Sequence, residues 1–419
     1  MSTAPPPQET SLLAPGRALA PFRFPAFRAI WTANLVSNFG SMIQSVGAAW
    51  LMTDLTTSHQ LVALVQASTT IPFMVLAVFA GAIADNYDRR LVMLAAQAGM
   101  LVVSATLAVL TLLGQIGPLS LLACTLAVGC GTALNGPAWQ ASVRMQVGPA
   151  DLPQAISLNT IAFNLARCVG PALGGLLISL TGPEVGFTLN AFSYLALIIV
   201  LLRWRPEHPP RQRQPMLAST MTGLRFCAGS DPVRRVLLRG LLFGFGAAGV
   251  QGLLPLLVRH QLRGGEVQYG MVLGAFGIGS ILTALWVAQA RRRWGSETVV
   301  TVASLAFAVA VVPLAFTQSL AVALACLLVA GGGWVATLTT LNVAMQLRSP
   351  EAILGRCMAI YQAVTFGGMA IGAYALGLVA DMTGTSAAIL GAAGFMAGAL
   401  PLLRRFAPMP TREEGRVAA

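Results

Sequence analysis

Gly81-Ala82-Ile83-Ala84-Asp85-Asn86-Tyr87-Asp88-Arg89-Arg90 packs two acids and two arginines into ten residues. Apolar runs long enough to cross a bilayer flank it on both sides. Charges this dense do not sit in hydrocarbon, so the stretch marks a membrane surface. Its arginines favour the cytoplasmic face. With this turn inside, the direction of every other segment follows.

Composition agrees. Hydrophobic residues make up 56% of the 419, and charged residues only 10%. A soluble domain carries about 25% charged residues, so several soluble domains of this length would lack the charge to cover their surfaces. A polytopic helical bundle facing lipid has no such need. The net charge of +12 does not point to nucleic acid, because the basic residues, all arginine, fall in the short gaps between apolar runs rather than on one face or tail. The six cysteines (Cys124, Cys130, Cys168, Cys227, Cys326 and Cys357) form no CxxC or Cys/His pattern, so neither a disulfide nor a metal site is expected.

Twelve apolar runs follow a proline-rich start: 29–52, 61–84, 91–113, 118–139, 155–180 and 185–202, then 236–258, 267–290, 298–316, 320–341, 357–380 and 386–403. Each approaches the ~20 residues needed to span hydrocarbon. Residues 1–28 lack the features of a signal peptide and read as a cytoplasmic tail whose Pro21–Arg28 end is interfacial. Residues 203–233, rich in arginine and proline, read as a cytoplasmic linker with a short surface helix over 216–227. It separates two six-helix bundles, 29–202 and 234–405, and 406–419 form a second cytoplasmic tail. About 22 of the 26 arginines then fall on one side, and only Arg259 and Arg263 lie in loops on the other. The halves repeat weakly. Val147-Gly148-Pro149 matches Arg348-Ser349-Pro350, Thr181-Gly182 matches Thr383-Gly384, and the Asp85 turn has a degenerate counterpart at 291–294.

The opening stretch, G-x-x-x-D-x-x-x-R-R after a second span, resembles the signature loop of the major facilitator superfamily. That resemblance covers nearly all of 28–405. It implies an all-α membrane protein of twelve helices in two pseudo-symmetric six-helix bundles, with alternating access between them. In that family the acid and the following arginines latch the halves together on the inside. Here the latch would be Gly81, Asp85, Arg89 and Arg90, facing Arg356 at the start of the eleventh span; the other reading is an exposed ion pair worth ~0–1 kcal/mol. Within Asn164–Gly175, Gly170-Pro171-Ala172-Leu173-Gly174-Gly175 resembles the antiporter signature of the superfamily's exporters. Small residues allow close helix approach and proline loosens the backbone, which suits a gate and also suits ordinary packing. Together with the linker, this string is most similar to the bacterial branch that contains the enterobactin exporter.

The remaining charges are few. Arg167 falls at mid-depth in its run, where a cation is costly unless it meets a cavity or a partner. It either contacts an anion or substrate, or is held by Asn164 and nearby carbonyls. No acid lies deep in any run. Asp54, at the outer end of the first run, is the candidate for proton uptake, or it caps a helix end. By family analogy the first, fourth, seventh and tenth spans line the central cavity. They offer Asn34, Ser37, Asn38, Gln44, Ser45, Asn135, Gln251 and Asn342, and the fifth and eleventh add Asn159, Tyr361 and Gln362. A polar, nearly uncharged lining suits an amphiphilic organic solute. His59, His208 and His260 fall in loops, and no phosphate loop, nucleophile elbow or HExxH occurs. The sequence therefore reads as a secondary transporter of the inner membrane, not an enzyme, with both termini cytoplasmic. Export of a small siderophore-like or drug-like molecule by proton antiport is the leading reading. Uptake, lipid flipping, or a transport-inactive receptor or assembly partner are the alternatives. Substrate, protons and membrane lipids are the partners expected, without cofactor, metal or nucleic acid, and a monomer is the default unit.

Overall fold

The computed structural model describes residues 18–205, 216–350 and 353–409, with backbone alone at 77, 78, 82, 85 and 216–220. The first bundle comprises α1 (Pro25–Leu55), α2 (His59–Asn86), α3 (Arg89–Leu112), α4 (Pro118–Ser142), α5 (Leu152–Thr181) and α6 (Pro183–Arg203). A short helix, α7 (Met216–Gly229), occupies the expected linker and packs on α8 and α11. The second bundle comprises α8 (Asp231–Leu256), α9 (Glu266–Val311), α10 (Leu320–Arg348), α11 (Leu354–Thr383) and α12 (Thr385–Phe406). Among the described residues, ten helical stretches are long and apolar enough to span a membrane. One of them, 266–315, is 50 residues long and holds two spans. Adding α1, whose polar Asn34, Ser37, Asn38, Gln44 and Ser45 dilute its hydropathy, gives twelve.

The two expected runs at 267–290 and 298–316 are thus arms of one helix, α9, which bends at Gly295. There φ is +80° and ψ 161°, a conformation that a side chain opposes and glycine accepts. The same conformation recurs where the repeat was read. Gly182 (φ 89°, ψ 162°) joins α5 to α6, and Gly384 (φ 90°, ψ 160°) joins α11 to α12. Both α5 and α11 are 30 residues long. The halves therefore share their turn geometry as well as their helix order.

The Asp85 turn is built locally. The Tyr87 amide donates to the Ile83 carbonyl and ends α2, and the Asp88 side chain accepts from the Arg90 amide (2.9 Å) and starts α3. Arg89 donates to the Ala141 carbonyl of α4 (3.0 Å). Arg90 donates to the Leu201 and Leu202 carbonyls at the end of α6 (both 2.7 Å). Cations suit a helix C-terminus, where carbonyls lack partners. In the second bundle Arg291, in the counterpart turn, donates to the Thr339 carbonyl of α10 (3.3 Å), and Arg239, from α8, donates to the Leu403 carbonyl of α12 (3.2 Å).

Polar contacts inside each bundle carry opposite costs. In the first, Gln44 Oε1 accepts from Ser104 Oγ and Asn190 Nδ2 (both 2.8 Å), and Asn190 also donates to the Tyr194 hydroxyl (3.1 Å), tying α1, α3 and α6 together. In the second, Arg239 is only 2% exposed. It binds both oxygens of Glu297 (2.9 Å), and Glu297 accepts the Met409 amide (2.6 Å), strapping the end of the described chain to the bundle. Interhelical hydrogen bonds in membrane bundles average ~0.6 kcal/mol. Breaking a buried ion pair costs about 3–5 kcal/mol, the lower end applying here because Glu297 keeps part of its solvent access. Arg239→Met should therefore lower the thermal midpoint in detergent well beyond Asn190→Ala; equal shifts would show that the Arg239–Glu297 pair adds nothing.

Candidate functional site

The two bundles meet along two seams with little room for side chains. On one, α5 lies against the first arm of α9. A Cβ built on Gly175 would stand 2.2 Å from the Glu266 carbonyl oxygen, and one on Gly270 would stand 2.3 Å from that of Pro171. Gly277 continues the stripe, its Cβ position 2.8 Å from Cys168 Cα. On the other, α11 lies against α2, with the Gly377 Cβ position 2.9 Å from Ala63 Cβ and 3.0 Å from Gln60 Cα. Gly175 and Gly377 stand equally far from the starts of their helices, so the seams are related by the internal repeat. The signature on α5 divides its work. Gly170 and Gly174 fit against Met42 and Ile43 of α1 in the same bundle, whereas Pro171 and Gly175 face the other bundle.

Both seams are tightest at the end remote from the Asp85 turn, and polar contacts close that end. Arg259 binds Asp54, donates to Thr53 Oγ1 (2.7 Å) and lies over the Trp50 ring at 5.8 Å. Trp50 in turn packs on Tyr269 at a centroid distance of 6.0 Å. Asp381, in the last turn of α11, accepts from Ser58 Oγ (3.0 Å) and from the His59 and Gln60 amides (2.6 and 3.2 Å) at the start of α2. A carboxylate suits a helix N-terminus. At the opposite, arginine-rich end, a Cβ on Gly81, Gly136 or Gly355 would meet nothing within 4 Å.

Between the bundles lies a cavity of about 120 Å³, lined by Ser45 of α1, Arg167 and Pro171 of α5, Gln251 and Leu254 of α8, Phe276 of α9 and Leu327 of α10. Arg167 is midway along α5, half-buried, with its guanidinium 5.8 Å from the centre of the Phe276 ring. It makes no ion pair or side-chain hydrogen bond with any described residue. Asn164, one of its suggested partners, donates to the Thr160 carbonyl instead (2.9 Å). Pro171 has no N–H to give the Arg167 carbonyl, four residues back, so the helix is weakened beside the charge.

A model of the transmembrane secretion effector family matches residues 16–418. Over 398 residues the chain is 28% identical to the enterobactin exporter of Shigella boydii serotype 4, covering 92% of this chain and 94% of that one. It is 27% identical over 401 residues to the enterobactin exporter of Citrobacter koseri, covering 93% and 95%. Among solved structures it resembles a nucleoside transporter (TM-score 0.70, 15% identity, 91% and 99% covered) and a D-xylose–proton symporter (TM-score 0.71, 14% identity, 93% and 98% covered). The chain belongs to the transmembrane secretion effector family, within the major facilitator superfamily. It is a multi-pass membrane protein and a secondary transporter of small molecules.

Within this family member the expected residues separate into groups. Ser45, Arg167, Pro171 and Gln251 meet at the cavity. Asn34 and Asn38 are half-buried and Ser37 is buried on α1, roughly 14–20 Å along the helix from Pro25. Asn135 Oδ1 and both amide atoms of Asn159 are buried and find no hydrogen-bond partner among the described residues. Gln44 lies in the polar core of the first bundle. Tyr361 is 4% exposed and donates to the Leu338 carbonyl of α10 (3.3 Å), inside the second bundle. Asn342 accepts from Gln346 (2.5 Å), and Gln362 is exposed. Arg89 and Arg90 hold carbonyls of their own bundle, Arg356 backs onto Gly223 of α7, and the Asp85 side chain lies outside the described residues. Sequence reasoning missed Arg259, Tyr269 and Asp381 as closing residues, and Phe276 beside Arg167. A signal existed for the first of these: Arg259 is one of two arginines on the side that the others avoid.

If the α5–α9 seam is a gate, overpacking it should open the remote end. Overpacking costs about 1–3 kcal/mol, a shift of roughly 5–150-fold in population. Gly175→Leu or Gly270→Leu should therefore raise the labelling of Ser45→Cys by an impermeant thiol reagent added at that end. Unchanged labelling, in protein inserted at normal levels, would show that the seam does not gate.

Proposed function

We propose that the protein exports a small amphiphilic organic molecule across the inner membrane by alternating access. The observation that carries this reading is the signature on α5, whose Pro171 and Gly175 face α9 of the opposite bundle across the seam at the remote end. The curated relatives named as enterobactin exporters support the outward direction. The arginine-rich end, with both termini and the linker, is assigned to the cytoplasm. Residues 29–202 and 234–405 are the two moving bodies, joined by 203–233. The state described is then closed on the outside by the Asp54–Arg259 and Asp381–Ser58 contacts.

A cavity of about 120 Å³ holds only about four waters, against the ~300–1,000 Å³ of sites for drug-sized ligands. The substrate therefore enters only when the bundles part at one end. When the cytoplasmic end closes, Asp85, Arg89 and Arg90 are the residues to meet Arg356 and the start of α11, with Gly81 leaving room, as in the resembled latch. Proton antiport would act through Asp54. Its partner in this state, Arg259, belongs to the other bundle, so the contact breaks when the outer end opens.

The test uses inside-out vesicles carrying the protein, acidified inside and loaded with a pH-sensitive dye, to which siderophores, dyes and antibiotics are added in turn. Proton release should follow the substrate, require the protein, and vanish in Asp85→Asn and Asp54→Asn while membrane insertion is retained. Export undiminished in Asp85→Asn would refute the latch. Movement of solute only in the opposite direction would favour uptake.

A further inference from the structure

The charge inside this bundle is asymmetric. Arg167 stands fifteen residues into α5, and the residue fifteen positions into α11, its partner in the internal repeat, is Met369. Packing alone is thus served by an apolar side chain at this position. In the first half a cation replaces it, at the middle of the span, facing the cavity between the bundles. No described carboxylate pairs with it, whereas the buried Arg239 has Glu297. Phe276 offers its ring face to the guanidinium, which orients the group without neutralising it. Gln251 supplies an amide across the same cavity, and the apolar remainder of the lining suits a hydrocarbon or aromatic body.

We infer that Arg167 is the counter-charge for an organic anion, and that it makes the membrane potential a driving force for export. The sign follows from alternating access. With the cytoplasmic end open, the cavity and Arg167 sit near the inside potential; with the outer end open, near the outside potential. A negative interior therefore pulls the empty carrier, which bears one uncompensated positive charge, toward the inward-facing state. Binding a monoanion neutralises the cavity, and the loaded carrier crosses without opposition from the field. Each cycle returns a positive cavity inward and releases one anion outward, so one negative charge leaves the cell. No titrating carboxylate in the cavity is needed for this step, and it operates whether or not protons also exchange. One charge crossing the full potential corresponds to a bias of about 50-fold per 100 mV. The inference takes only its direction from the export reading.

The empty carrier gives the first test. The full chain, with its native cysteines replaced by alanine, is reconstituted in liposomes with Gln115→Cys and Gln318→Cys in the loops at the outer end. Impermeant donor and acceptor dyes added from outside label only molecules with that end outward. Diffusion potentials of either sign are imposed with potassium and valinomycin at symmetric pH. A negative interior should shorten the distance and a positive one lengthen it, with a population ratio approaching 50-fold per 100 mV. Arg167→Lys should keep the response, and Arg167→Gln and Arg167→Met should lose it. A parent chain indifferent to potential, or an Arg167→Gln response equal to the parent's, overturns the inference. Saturating salicylate, 1-naphthoate or 2-naphthalenesulfonate should abolish the bias of the parent, whereas 1-naphthylmethanol should not. If none of the three anions reduces the bias, the anion assignment falls. A voltage response with no outward transport would sink the export reading, and with it the direction, and leave Arg167 as the voltage-sensing counter-charge; export without a voltage response would overturn this inference and leave the export reading standing.

Discussion

Where Gly175 meets the Glu266 carbonyl, and where Gly377 meets Gln60 Cα and the Ala63 methyl, helices touch with at most a methyl group between their backbones. In a bilayer there is no hydrophobic drive to bring helices together, because lipid is as apolar as leucine; close packing and polar contacts must do so. A seam made from glycine and backbone gains dispersion contacts only at full closure, and loses them steeply with a small separation. It therefore behaves as a two-position contact rather than a graded one. The two seams are related by the internal repeat, and the bonds of Arg259 and Asp381 lie at the same end. The alternating access proposed above would use a surface of this kind, and the glycine contacts are concentrated at one end of four helices.

Much of this was legible in order of sequence, and little of it across sequence. The turn at 81–90, the polar first helix, the linker helix over 216–229 and the recurrence of Thr-Gly at 181–182 and 383–384 are local features, and local rules read them. Gly295 and its merged helix were half legible. The arginines at 291–293 marked a turn, but an apolar run on each side does not reveal whether the chain breaks or bends there. The stripe Gly270, Gly274, Gly277 passed unread because in a membrane helix both faces are apolar, and hydrophobic periodicity cannot separate the face that meets lipid from the face that meets protein. The same ambiguity misplaced polar residues. Gln44 and Tyr361 are polar groups in apolar helices, and a polar group there must face either a cavity or a neighbouring helix. Both face neighbours, Ser104 and Asn190 in one case and the Leu338 carbonyl in the other. Only the fold shows which.

The arginine-rich end shows how one residue type serves topology and structure together. Arg89, Arg90, Arg239 and Arg291 each bind carbonyls of α4, α6, α10 or α12 near the same end of the bundle. Charges that favour retention in the cytoplasm also satisfy backbone acceptors exposed where helices stop. The latch expected from the signature loop is therefore not a set of idle charges awaiting the other bundle. Closing that end would exchange one set of partners for another, and the free energy of the switch is the difference between the two sets, smaller than either.

Charge and seam occupy the same stripe of one helix. Arg167, Pro171 and Gly175 are spaced four residues apart and so share a face of α5. In the structure they meet Phe276, Gly270 and Glu266 in turn along α9. Pro171 removes a hydrogen bond between the other two, so the stripe can flex at its centre. A ligand shifts a conformational equilibrium only by its differential affinity for the two states. Here the surface that a ligand at Arg167 would touch is continuous with the surface that closes. Under the proposed alternating access, a solute wider than this cavity of about 120 Å³ would hold the bundles apart on one side while it is bound, and its departure would let Gly175 return to the Glu266 carbonyl. Occupancy and closure would then be coupled through two turns of helix, without a longer pathway.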